Sequence, residues 1–247
     1  MNGRTLLLIP AAFLLLGSLR VNAYTPGPSM AQPGNKHNLS VNNSAVNFRA
    51  LNNGDPRSTQ ICIFCHTPHN AASRDVLWNR RDPTRVFGHY SSSTLVIDNP
   101  DVRSLSQYGE PNGSSRLCLS CHDGETALGA IYNQTTVYGR IGPIQFPSAY
   151  SKVAMMNLSS HHPVSFVYDS AVLLKIQEKK AVDEYKLPDG SSNVRLDHLS
   201  RMQCTSCHDP HQDWSDRSDG IFPDPPFWVA PTYGEVCMKC HNLTTFP

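Results

Sequence analysis

The residues best placed to do chemistry in this 247-residue chain are its eight cysteines and eleven histidines, because their spacing repeats. Every cysteine belongs to a C-x-x-C pair followed at once by histidine: Cys62-Ile63-Phe64-Cys65-His66, Cys118-Leu119-Ser120-Cys121-His122, Cys204-Thr205-Ser206-Cys207-His208 and Cys237-Met238-Lys239-Cys240-His241. One C-x-x-C alone would serve equally as half of a zinc site or as a redox pair. A zinc site, however, does not require histidine directly after the second cysteine, and a disulfide framework does not space every pair identically. Covalent haem attachment demands both features, since two thiols add to the vinyl groups of one macrocycle and the adjacent imidazole becomes an axial iron ligand. The expectation is four covalently attached haem c groups, held by Cys62, Cys65, Cys118, Cys121, Cys204, Cys207, Cys237 and Cys240, with His66, His122, His208 and His241 as proximal ligands.

The second axial position decides between carrying electrons and activating a small molecule at an open face. Seven further histidines are available: His37, His69, His89, His161, His162, His198 and His211. Four recur in a set order. His37 precedes a C-x-x-C-H-x-Pro-His ending at His69 and then a plain motif ending at His122; His162 precedes a C-x-x-C-H-x-Pro-His ending at His211 and then a plain motif ending at His241. That order indicates an internal duplication, with pseudo-repeats of about 24–150 and 151–247 carrying two haems each. His37, His69, His162 and His211 are therefore the expected distal ligands, which gives bis-histidine, low-potential haems throughout. His89 and His198 read as surface or hydrogen-bonded side chains, and His161 points away from its neighbour His162 in an extended segment. Met155, Met156 and Met202 are competing ligands that occupy no repeated position, and Met238, inside its own motif, reads as contact surface.

Pairing follows from reach. His69 and His211 lie three residues past a proximal histidine, too close to cap the same haem. His69 is expected to serve the haem at His122, His211 that at His241, and His162 that at His208. His37 sits in a Pro-, Gly- and Asn-rich arm without an apolar pattern, which could reach a haem of a neighbouring copy or the first haem of its own chain. Histidine supply covers all four irons, so the chain is not expected to be an enzyme.

The remaining sequence must position these groups. Residues 1–23 have the form of a cleaved export signal, with Arg4 before a short apolar run and Val21-Asn22-Ala23 at the cleavage site. An exported protein follows, extracellular or at the cell surface, the alternative being the periplasm; no stretch after residue 23 suggests a membrane span. The segment 24–247 is one tetrahaem domain. Its many Pro, Gly, Ser and Asn residues and few apolar-periodic stretches leave little for a side-chain core, so apolar macrocycles are expected to fill it. Helix is expected over Ser170–Tyr185 and in short turns at each motif, with weak strand signals at 94–97 and 135–138. A formal net charge of +1 and the absence of basic runs argue against nucleic acid as a partner.

These residues carry a family resemblance. His37-Asn38-Leu39-Ser40, the run Ile61 to Asn70 followed by Leu77-Trp78-Asn79-Arg80, Cys118 to Gly124, His162-Pro163-Val164-Ser165-Phe166 and Cys204 to His211 resemble the doubled-C-x-x-C-H multihaem cytochromes. Among them they are most similar to the tetrahaem outer-membrane cytochrome E type, whose subunits polymerise into extracellular filaments. The resemblance implies a multihaem cytochrome c fold, mostly coil with short helices wrapped around a haem stack and few or no strands. It implies bis-histidine haems and, in filament-forming members, one haem ligated from the neighbouring subunit. Function is then electron transport along a conductive head-to-tail homopolymer toward redox partner proteins or extracellular acceptors, the alternative being a soluble periplasmic shuttle between a quinol-oxidising complex and a terminal reductase. His161 beside His162 departs from the family pattern.

Overall fold

The computed structural model describes residues 24–50, 56–71, 75–90, 111–132, 157–179, 184–216 and 227–242. Regular structure is sparse in them. Helices α1, Gly113–His122, and α2, Ser170–Lys179, each run ten residues, while α3, Cys204–Cys207, and α4, Tyr233–Cys237, are little more than single turns. Four two-residue strands pair off: β1, Gly88–His89, lies parallel to β2, Asn157–Leu158, and β3, Phe166–Val167, antiparallel to β4, Arg201–Met202. Helix α2 starts where the apolar spacing starts and is described to Lys179. The signal segment and both expected strands, 94–97 and 135–138, lie outside the described residues. Among the described residues no helix is long and apolar enough to cross a membrane.

Three of the four C-x-x-C-H motifs close with the same turn, the backbone N–H of His66, His208 and His241 donating to the carbonyl of the first cysteine at 2.7, 3.0 and 2.9 Å. Each of these histidines then forms an antiparallel bridge with an aromatic residue, His66 with Trp78, His208 with Trp228 and His241 with Tyr185. Matching hydrogen bonds flank every bridge. The residue after the histidine donates to the residue before the aromatic, as Thr67 to Leu77, Asp209 to Phe227 and Asn242 to Glu184. The residue after the aromatic donates to the second cysteine, as Asn79 to Cys65, Val229 to Cys207 and Lys186 to Cys240. The fourth motif makes its turn inside α1, as the last residues of that helix, and among the described residues forms no such bridge.

Apolar burial is divided into small clusters. One gathers Phe166, Tyr168, Val172, Met202, Val229 and Val236 around Cys240; another places Leu39, Ala50, Phe64, Leu128 and Ile131 against Cys65 and Cys121; the smallest is Phe87, Leu119 and Leu158. Between them the chain is stapled by buried polar side chains, which must bond internally once removed from water. Gln203 accepts from Ser115 Oγ at 2.7 Å and donates to Asn112 and Asp197, each at 3.1 Å, while the Cys204 N–H donates to Ser115 Oγ at 2.9 Å. This network seats α3 beside the start of α1. Gly113 is required there: its φ is +56°, and a β-carbon would come within 2.7 Å of Gln203 Nε2.

The N-terminal arm docks on its own chain, contrary to the expectation from its polar composition. Pro26 and Ser29 bridge to Asp216 and Gln212, Met30 N–H donates to the His211 carbonyl at 2.7 Å, and Gln212 Nε2 donates to Gly27 at 2.7 Å. Buried asparagines do the work that apolar residues would otherwise do. Asn43 Nδ2 donates to the carbonyls of Asn35 and Asn38, both at 2.9 Å, and Asn35 Nδ2 donates to Pro28 at 3.0 Å.

Arg80 is fully buried and donates to the carbonyls of Ser120, Phe64, Leu128 and Ala127 at 3.3, 3.4, 2.8 and 2.9 Å, tying the first motif to the second. Arg80→Met leaves those acceptors buried and unanswered, so unfolding free energy is expected to fall by about 3 kcal/mol or more. Denaturant titration of wild type and variant checks this; equal midpoints would refute it.

Candidate functional site

Three pairs of histidine rings face each other across nearly the same gap. His37 and His122 have centroids 6.1 Å apart, His66 and His211 6.2 Å, and His162 and His241 6.3 Å. The gap exceeds ring contact but suits one atom between two nitrogens: bonds of about 2 Å on each side, plus roughly 1.1 Å from each nitrogen to its ring centre, put two trans imidazole centroids about 6 Å apart. Each pair joins one proximal histidine to one of the expected distal residues. The donor set therefore fits an axially bis-ligated haem at three of the four motifs.

Hydrogen bonds orient the rings for that role. His37 Nδ1 lies 3.1 Å from the Pro210 carbonyl, His66 Nδ1 2.7 Å from that of Val76, and His162 Nδ1 2.9 Å from that of Pro163. A carbonyl only accepts, so the proton sits on Nδ1 and the Nε2 lone pair is left for metal. At His211 the Asp209 carboxylate accepts from the backbone N–H at 2.9 Å and lies 3.5 Å from Nδ1. Burial, then the neighbouring His122, lowers the His37 pKa to about 4. Burial likewise lowers those of His162 and His241. Neutral imidazole, the ligating form, is thus the resting state of these residues near neutral pH.

Aromatic rings back three proximal histidines. Trp228 stacks on His208 at 4.7 Å and 16°, Trp78 meets His66 edge-on at 5.4 Å and 85°, and Tyr185 lies 5.1 Å from His241 at 57°. These are the bridge partners described above, a role the sequence hid because they stand at unequal distances from their motifs. On the distal side Phe227 stacks on His37 at 4.6 Å.

Sulfur positions give the attachment sites an order. Burial, then the Cys121 thiol, pushes Cys65 up to about 12; Cys118 is raised by a hydrogen bond to Cys204; burial, then Cys240, pushes Cys207 up to about 12. Neighbours therefore run from the first motif to the second, third and fourth in chain order. Among the described residues no three Cys, His, Asp or Glu side chains converge as a nest for a bare metal ion. The donors come as opposed histidine pairs and paired thiols.

The pairings differ from those expected on reach. His211 meets His66 and not His241, His162 meets His241 and not His208, and His37 meets His122 of its own chain in place of a neighbour. Chain distance misled because the docked arm and the bridges fold remote segments together. His69 is exposed just beyond the first bridge, where its carbonyl accepts from Thr67 Oγ1 at 2.7 Å. His161 is partly buried with Nδ1 lacking a hydrogen bond, His198 is exposed, and His89 lines a small cleft with His162. Met202 is core in β4, Met238 is exposed, and Met155 and Met156 lie outside the described residues.

A scan against protein-family models and a search of curated proteins find no match to this chain. Apolar burial divided among small separate clusters supplies little cooperative stability by itself. Protein made without a haem-attachment apparatus is therefore expected to show no cooperative unfolding transition by near-ultraviolet dichroism, and a sharp transition in such material would refute this.

Proposed function

We propose that this protein is an exported electron-transfer cytochrome that holds four covalent bis-histidine haems in a line and extends that line from copy to copy in a head-to-tail polymer outside the cell. The observation that carries the proposal is the set of opposed imidazole pairs at 6.1, 6.2 and 6.3 Å, each completing a C-x-x-C-H motif. Haem bound there would cycle between ferric and ferrous states, accepting and releasing single electrons. The histidine pairs close both faces to substrates, which is the reason to read a relay and not an enzyme. In each pair one ring, that of His37, His66 or His162, has its Nδ1 tied to a backbone carbonyl, which holds its orientation.

Support for polymerisation lies in how the halves relate. The pair His37/His122 corresponds by repeat to His162/His241, and the thiol neighbours Cys65/Cys121 to Cys207/Cys240; both members of each correspondence are present. Two relations run from the first half onto the second, Cys118 to Cys204 and His66 to His211. Continued once more, the same step carries the second half onto the first half of another copy, Cys237 toward its Cys62 and His208 toward its His69. Cys62 and His69 are both exposed. A step that does not close on itself generates an open assembly. His69, in place of His37, is then the bridging ligand.

Wild-type protein is expected to carry four low-spin haems per chain and to form filaments in electron micrographs of the secreted fraction. His37→Ala should open one iron, read as one carbon monoxide bound per reduced chain, and leave filaments intact. His69→Ala should open one iron and abolish filaments. Filaments that persist in His69→Ala would refute the bridge; a high-spin haem in wild type would refute the closed relay; a monomeric wild type would leave a soluble shuttle.

A further inference from the structure

The three bridges to aromatic residues are more regular than anything else in the fold, and attachment alone does not require them. Their hydrogen bonds are backbone to backbone, so each aromatic Cβ is registered to the histidine backbone whatever the side chain is. A proximal imidazole can turn about its bond to Cβ unless neighbours limit it; at His66 the Val76 carbonyl does so through Nδ1, and an adjoining ring can limit the turn as well. Trp78, Trp228 and Tyr185 do so, at 5.4, 4.7 and 5.1 Å and at three different angles, 85°, 16° and 57°. Trp78 is itself held, its Nε1 donating to Ser120 Oγ on α1 at 3.0 Å.

Rotation matters because of orbital overlap. Two axial imidazoles in parallel planes donate into the same iron d orbital and split the pair, whereas perpendicular planes donate into different orbitals and leave them nearly degenerate. The opposed pairs fall into both classes: 15° for His66/His211, but 89° for His37/His122 and 87° for His162/His241. We propose that Trp78, Trp228 and Tyr185 are positioning residues that set the rotation of the proximal imidazoles, and through it the mutual angle of the axial planes. This rests on the reading of four bis-histidine haems.

Electron paramagnetic resonance of the full, haem-loaded ferric protein tests it, since parallel planes give a rhombic low-spin signal and perpendicular planes a strongly anisotropic one with a large principal g value. Wild type is expected to show both kinds. Trp78→Leu should shift the rhombic signal of the His66 haem, with haem count and low-spin state kept and the anisotropic signals unmoved. Trp78→Phe, which keeps a ring at that place, should lie closer to wild type. Should Trp78→Leu not fold, Tyr185→Leu gives the equivalent reading on the anisotropic signal of the His241 haem. A folded, low-spin leucine variant whose g values all match wild type would overturn the proposal, even if its unfolding midpoint had dropped. A wild type with fewer than four low-spin haems would instead overturn the underlying assignment.

Discussion

Two imidazoles facing each other across about 6 Å do not attract one another, so the gap has to be held from behind. Local hydrogen bonds do that here. Carbonyls of Pro210, Val76 and Pro163 grip the far nitrogen of three rings, and the turn from first cysteine to histidine holds the backbone of three proximal residues. Since a carbonyl accepts and cannot donate, each grip also selects the tautomer that leaves the other nitrogen bare. Geometry and protonation are thus set by one hydrogen bond.

A protein organised this way has little use for long helices or sheets. Its interior is divided among small apolar clusters and joined by buried polar side chains, Arg80 on four carbonyls, Gln203 between α1 and α3, and the asparagines of the arm. Such groups are costly to bury unpaired and directional when paired, which suits a fold that must hold distances without a continuous core. The polar N-terminal arm illustrates the point. It reaches His122 through bridges and hydrogen bonds to 209–216, while asparagine side chains close its own turns.

The repeated order of histidines has a counterpart in the folded chain. In each repeat of that order the leading histidine faces the histidine of the second motif, His37 with His122 and His162 with His241. The x-Pro-His residue does the opposite: His211 leaves its own half and faces His66. The leading histidine therefore stays within its half while His211 faces His66 across the halves.

Much of the candidate site was legible from the residues alone. The four C-x-x-C-H motifs and the repeated order of histidines are local patterns, and the three pairs found are drawn entirely from the histidines which that order selects, because covalent and ligand chemistry constrain spacing along the chain. The sparse helix was legible too, α2 from its apolar period and the rest from turn residues. Which histidine faces which was not: partners such as His37 and His122, or His66 and His211, are set by the docking of an asparagine-rich arm and by bridges between remote segments, neither of which leaves a periodic signal. The aromatic backing was hidden for the same reason, since Trp78, Trp228 and Tyr185 stand before or after their histidines at unequal distances, and only the hydrogen-bond register of the folded chain makes them equivalent.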